Sequence, residues 1–310
     1  MATVLSVLCS GRRKGFTAGL LSQAEQGASS VEGVEIDHVH LHDFSFGPCK
    51  SCFACIRDEE HRCVQDDAFG QKGDGPLYRK LLHANAIIIA DPVHMWGASA
   101  MCHLFVERCY PLIWSSGIVG MPFASIACAS NQGMQHIAIE TTCRWAFTYG
   151  LRYVDQLAVH VAYYDDALTE AHYIGERVGQ AAIDDAKQRV PFANDSDRFL
   201  SYAGKPWKPL ENYLYNLTNG SFRTDLSIPE KALRKGVFKH PEALELLRQC
   251  STKLAEALRF YELKDHAQAN RHLVEASAYW THATWKEFLE RQVVKTSAPE
   301  GYRPVSQEQD

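Results

Sequence analysis

The chain has 310 residues, enough for two domains with a substantial core, and its 46% hydrophobic and 22% charged content is that of an ordinary globular protein. A formal net charge of −5 argues against a general nucleic-acid binder, which needs a basic face to displace condensed counterions. No apolar run approaches the roughly 18–20 residues that span a bilayer, so no membrane partner is expected.

Residues 2–8 form an apolar, β-branched run that predicts a first strand, closed by Ser10-Gly11. No basic region precedes the apolar residues 1–9, so no export signal is expected. The ten cysteines then read as reduced thiols of a cytoplasmic protein. A helix is expected over 17–25. The turn between them, Cys9 to Thr17, precedes a helix amino terminus, where unpaired N–H groups and the positive dipole end suit a phosphate. Ser10, Arg12 and Thr17 complete such a cradle, beside Gly15 and Phe16. The spacing is neither GxGxxG nor a Walker loop, and a plain helix-capping turn fits the same residues.

Residues 34–41 alternate as a half-exposed strand, in which His38, His40 and His42 mark one face. An exposed strand edge is the expectation, with metal binding the alternative. Next comes PCKSCFACIRDEEHRCVQDD, with Cys49, Cys52, Cys55 and Cys63 in a CxxCxxCx7C spacing. Closely spaced cysteines supply four thiolates to one iron–sulfur cube by wrapping backbone around it. Zinc remains an alternative, although its structural sites favour two knuckles separated by a longer spacer. Ferredoxin-type runs place Pro after the fourth cysteine. Val64 stands there, and no second run exists, so one cluster per chain is expected.

A helix is expected over 76–84, with Pro at its first turn. The AIIIA run at 86–90 reads as a strand buried on both faces. Helix over 99–114, strand over 123–129, helix over 133–149, strand over 153–161 and helix over 168–189 follow. Cys102 and Cys109 read as small buried apolar groups on their helix. Five strands alternating with helices predict an α/β fold, a doubly wound parallel sheet whose ligands bind in the loops after the first, third and fourth strands.

Beyond residue 190 the texture changes, which divides the chain into 1–190 and 191–310. Residues 191–232 carry four prolines and many aromatics and read as an ordered extended segment. Helices over 241–263 and 266–293 predict an antiparallel hairpin joined near Lys264-Asp265, and the last dozen residues read as frayed. This mainly α-helical extension is expected to cap a ligand or to build an oligomer.

Two loops resemble those of the flavodoxin-like NAD(P)H-dependent FMN reductases. In that family a strand–SxRxxxxT–helix turn holds the FMN phosphate, represented here by Ser10, Arg12 and Thr17. A second segment, SPVYxGxxSA, lies along the ribityl chain and ring. It is represented here by Pro92, Val93, Trp96, Gly97 and Ser99, with Met95 between them and His94 where the family has Tyr. Trp96 is expected to stack on the ring or contact a partner copy; a core aromatic is the alternative. Phe105-Val106-Glu107-Arg108 resembles the family's FxDR helix. Ser130, Asn131 and Gly133 resemble its third flavin-contacting loop.

The cysteine spacing, followed by the acidic pair Asp66-Asp67, resembles that of the iron–sulfur flavoproteins, a branch of the same family. The resemblance covers residues 1–190. It implies an oxidoreductase that passes electrons between a [4Fe–4S] cluster and FMN to a small-molecule acceptor. NAD(P)H or ferredoxin is the implied donor, and a homodimer or homotetramer the implied assembly. The alternatives are a cluster-free FMN or quinone reductase and a non-catalytic electron-transfer flavoprotein. No residue is assigned as a catalytic acid or base.

Overall fold

The computed structural model describes residues 1–290, the side chain of Lys72 excepted. The expected fraying of the last residues, and the end of the final helix at 293, lie outside the described residues. The chain divides into two compact units, Met1–Phe192 and Ala193 onward.

The first unit is a five-stranded parallel sheet in the order β2-β1-β3-β4-β5. The strands are β1 (Ala2–Leu8), β2 (Val34–His40), β3 (Ala86–Pro92), β4 (Pro122–Ala129) and β5 (Arg152–His160). Every pairing is parallel, with Val4 opposite Ala86 and Ile89 opposite Ser125. Helices α1 (Phe16–Ser29) and α7 (Tyr164–Lys187) cover one face, where Val4, Leu20, Ile88, Ile126, Ile174 and Val178 pack together. Each such side chain contributes about 1.5–3 kcal/mol by leaving water. The two helices touch backbone to backbone. A Cβ on Gly27 would stand 1.9 Å from the His172 carbonyl oxygen, and one on Gly175 equally close to that of Ala24. Only glycine permits that approach.

The connections on the other face are α2 (Ala54–Arg57), α3 (Pro76–His83), α4 (Ala100–Arg108), α5 (Pro111–Ser115) and α6 (Gln135–Thr148). Phe105 of α4, Trp145 of α6 and Phe123 of β4 form a chain of tilted and edge-on rings that fills this side of the sheet.

Four local expectations are corrected. The helix expected over 99–114 is two helices, because Pro111 cannot donate to a continuing helix and restarts one as α5. The helix expected from Gly133 begins at Gln135, since Gly133 and Met134 are left-handed (φ 92° and 71°). The histidine reading holds only in part: β2 is an edge strand and His38 and His42 are exposed, but His40 is not. His40 is buried, with Nε2 2.7 Å from the Ser10 carbonyl oxygen and Nδ1 3.3 Å from Asp43, while His42 lies beyond the strand.

The fourth correction concerns 191–232, which is not extended. It forms α8 (Asp195–Ser201), α9 (Pro209–Leu217), a 3-10 turn (Thr224–Leu226) and α10 (Ile228–Lys235). The prolines open helices here instead of preventing them. Pro209 and Pro229 occupy first turns, where the missing N–H costs nothing, and Asn194 and Ser227 cap their helices. Helices α11 (Pro241–Glu262) and α12 (His266–Thr284) form the hairpin, and a π-helical turn (Trp285–Leu289) follows. That turn aims Glu287 at the start of α11, where it accepts the Lys239 and His240 N–H groups at 2.8 and 2.7 Å.

Candidate functional site

The strand order brings the carboxyl ends of β1, β3 and β4 side by side. The Cys9 N–H donates to the Ala90 carbonyl at 2.9 Å, and the Val93 N–H to the Cys128 carbonyl at 2.9 Å. The loops after these three strands therefore form one continuous rim. All fourteen residues expected to contact a flavin lie on it, at the end of β3 or on the first turn of α1.

In the first loop Ser10 is buried and its Oγ accepts the Arg12 N–H at 3.1 Å, which tightens the turn. Gly15 is the N-cap of α1 and offers no side-chain acceptor, so the first N–H groups of that helix are left for a ligand. Arg12 is exposed and, among the described residues, has no acidic partner. Neighbouring Arg13 is paired with Asp43. Phe16 is exposed and meets the Tyr164 ring edge-on at 4.9 Å. Thr17, in the first turn of α1, is buried. Uncapped N–H groups, a free guanidinium and two hydroxyls suit a phosphate monoester such as that of FMN.

The second loop is a two-residue hairpin. His94 and Gly97 exchange both backbone hydrogen bonds, at 3.0 and 3.1 Å, around Met95 and Trp96. Both central residues are left-handed, with φ 47° and 65°, in the turn geometry that normally selects Asn and Gly. Their side chains are 98% and 66% exposed. Trp96 is thus no core aromatic. Aligned on Pro92-Val93 and Ser99-Ala100, the family glycine falls on Trp96 and not on Gly97, and the backbone keeps the conformation glycine would take.

Asp91, immediately before, is buried. Burial pushes its carboxyl up to about 7, against hydrogen bonds from the Ser99 hydroxyl (2.5 Å) and N–H (2.9 Å) that favour the anion. Ser99 in turn caps α4. In the third loop Ser130 and Asn131 are exposed, Asn131 and Gly133 are left-handed, and the Asn131 carbonyl meets His160 Nε2 at 2.9 Å.

Cys49, Cys52, Cys55 and Cys63 all line one cavity of about 470 Å³. Its remaining wall includes Val106 and Glu107 of α4 and Arg144, Trp145 and Tyr149 from the α6 segment. All four thiols are free. Burial pushes the Cys55 thiol up to about 12, reinforced by repulsion from Cys63, Cys49 and Cys52. Four cysteines lining one cavity form a donor set that suits a soft metal centre.

A single zinc, bound at about 2.3 Å, draws its sulfurs to within about 4 Å of one another. Among the described residues no three of these four sulfurs lie within 4.8 Å; the one group that close is buried Cys9, Asp91 and Cys102, beneath the flavin loops.

The loop that carries the cysteines is clamped from α4. The Glu107 carboxylate accepts the Cys49 N–H at 2.8 Å. The Arg108 guanidinium, on a residue only 2% exposed, pairs with Asp67 and donates to the Gly47 carbonyl at 2.7 Å. A fourth Arg108 N–H contact is to Cys63 Sγ at 3.6 Å. The clamp was partly legible in the sequence, since Glu107-Arg108 and Asp66-Asp67 were both singled out. Their pairing across 41 residues was not.

The family model described as "NADPH-dependent FMN reductase" matches residues 2–165. This chain belongs to that family. It is accordingly a flavin-dependent oxidoreductase with FMN as its flavin. The chain is also similar to an iron–sulfur flavoprotein of Methanocaldococcus jannaschii, at 27% identity over 58% of this chain and 85% of the relative. An iron–sulfur flavoprotein of Methanosarcina thermophila is 32% identical over 31% of this chain, which spans about half of it, 47%. Among solved structures, a flavone reductase superposes with a TM-score of 0.46 at 17% identity, covering 61% of this chain and 65% of that one. No helix among the described residues is long and apolar enough to cross a membrane.

Proposed function

We propose that the chain is an iron–sulfur flavoprotein that passes electrons between one [4Fe–4S] cluster and FMN to reduce a small-molecule acceptor. The observation that carries this reading is the convergence of Cys49, Cys52, Cys55 and Cys63 on one cavity, within a family whose flavin is FMN. The names of the relatives support it.

In this reading Ser10, Arg12, Gly15, Phe16 and Thr17 hold the FMN phosphate. Pro92, Val93, His94, Met95, Trp96 and Gly97 lie along the ribityl chain and ring, and Ser130, Asn131 and Gly133 meet its edge. When bound, the cluster supplies single electrons and the flavin exchanges one or two. The residues' work is to fix the distance between the centres and to tune potential through charge and hydrogen bonds. NAD(P)H or ferredoxin is the donor. The working assembly is a cytoplasmic homodimer or homotetramer in which one copy's cysteine loop faces its partner's flavin.

Anaerobic purification with a visible spectrum and iron, sulfide and flavin assays tests the proposal. Four irons and four sulfides per FMN are expected. Flavin without iron after anaerobic reconstitution would leave a cluster-free FMN reductase.

A further inference from the structure

The flavin and cysteine motifs leave unexplained why an arginine should sit at the end of α4 with almost no access to solvent. Arg108 is 2% exposed, and burying a guanidinium is costly unless every N–H finds a partner. Its partners all belong to one loop. They are the Gly47 carbonyl at 2.7 Å, Asp67 through both carboxylate oxygens, and Cys63 Sγ at 3.6 Å. The Phe69 ring lies under the guanidinium carbon at 5.5 Å.

Asp67 is a hinge in its own right, accepting the Phe69 and Gly70 N–H groups at 3.0 and 2.9 Å. Arg108 therefore joins the entry of the cysteine loop, at Gly47, to its exit, at Asp67. Between them the backbone has little regular structure beyond the one turn of α2, and Ser51, Phe53 and His61 are left-handed. The loop's ends also meet directly, with the Ala68 N–H on the Ser45 carbonyl at 3.1 Å and the Gln65 amide on the Pro48 carbonyl at 3.4 Å, and Arg108 is the side chain that ties both ends to α4.

We propose that Arg108 is the positioning residue of the cysteine site. Its planar fork closes the loop from Gly47 to Asp67 and directs one N–H at the sulfur of Cys63. It thereby sets the loop's shape and, resting on the cluster reading above, the potential of the centre bound there. A nearby cation and an N–H···S bond both favour the more negative, reduced form, because cluster potentials respond to net charge and to hydrogen bonds at sulfur. Lysine keeps the charge but cannot bridge carbonyl, carboxylate and sulfur at once.

The test uses Arg108→Gln and Arg108→Lys in the full chain, with two readouts. The first needs no cluster. In metal-free protein, alkylation of Cys63 by iodoacetamide is followed by mass spectrometry, with buried Cys250 of the second unit as the reference. Cys63 should react about tenfold faster in both variants, since loop opening governs access, while Cys250 stays at its wild-type rate. The FMN content, measured on protein as isolated, should also stay at its wild-type value. Cys63 rates within twofold of wild type in both variants would overturn the clamp. If Arg108→Gln also accelerates Cys250, that variant has unfolded and Arg108→Lys decides.

The second readout is the midpoint potential of the reconstituted centre by EPR-monitored titration. Arg108→Gln should lower the reduction equilibrium constant about tenfold, or ~59 mV for one electron, with Arg108→Lys closer to wild type. An unchanged potential in Arg108→Gln would sink the electrostatic half. A wild-type protein that takes up no iron would sink the cluster reading, while the alkylation arm still decides the role of Arg108.

Discussion

The turn after β1 and the loop after β2 are both polar segments at the carboxyl edge of one sheet, yet they are held in opposite ways. The first is short, opens directly into α1 and needs only Ser10 Oγ on the Arg12 N–H and His40 behind the Ser10 carbonyl. Its polar groups are mostly backbone, which the helix already orients. The second must gather side chains from an irregular stretch of chain. It is tied down from outside, by Glu107 at Cys49 and by Arg108 at Gly47, Asp67 and Cys63. An anion site built from a helix end comes with its fold. A loop that gathers cysteine side chains is braced from outside, here by α4.

This contrast makes the two sites separable. Cys52→Ala should abolish iron and sulfide uptake while FMN stays near wild-type stoichiometry; a parallel loss of flavin would mean that the sites share their framework. Asp91 stands where they meet, at the end of β3 and bonded to the cap of α4. Its carboxyl is raised from the ordinary 3.8 to about 7 by burial, so the folded chain holds a proton that the unfolded chain has released. That contribution is complete below about pH 4 and is lost as pH rises to about 7, amounting to ~4 kcal/mol at most. Asp91→Asn keeps an acceptor for Ser99 and should flatten the stability profile between those limits. Urea unfolding at pH 5 and pH 8 measures it, and an unchanged slope would mean that Asp91 is not the proton holder.

Arg12→Ala should weaken FMN binding by about 10–100-fold through loss of a charge-assisted contact, with iron content unaffected. Fluorescence titration of the flavin-free protein reads the change, and an unchanged affinity would move the phosphate elsewhere. The smallest effect belongs to the hairpin. Met95→Gly relieves a left-handed residue at a side chain that is 98% exposed, so the flavin-free chain should gain about 0.5 kcal/mol after the entropy of glycine is subtracted. A loss of stability would show that the Met95 side chain makes contacts that outweigh the turn's strain.

The sheet was legible because its signals are local. AIIIA at the centre, strand–helix alternation and Gly15 before a helix each reflect a preference of a few neighbouring residues. The helical stretch from 195 to 235 was misread for the same reason. Short helices leave little periodicity to read, and only the place of Pro209 and Pro229 in first turns makes them openers. His40 was misread because an alternating pattern names a face and not what covers it.

By itself, the sequence determined the order of elements, the three loops at the strand ends and the four thiols at one spacing, since each depends on residues close along the chain. Tertiary structure alone decided that the four cysteines line one cavity, that α4 grips their loop, and that Asp91 is buried enough for its carboxyl to be raised to about 7. These properties depend on distance through space and on exclusion of water, which only the packed chain sets.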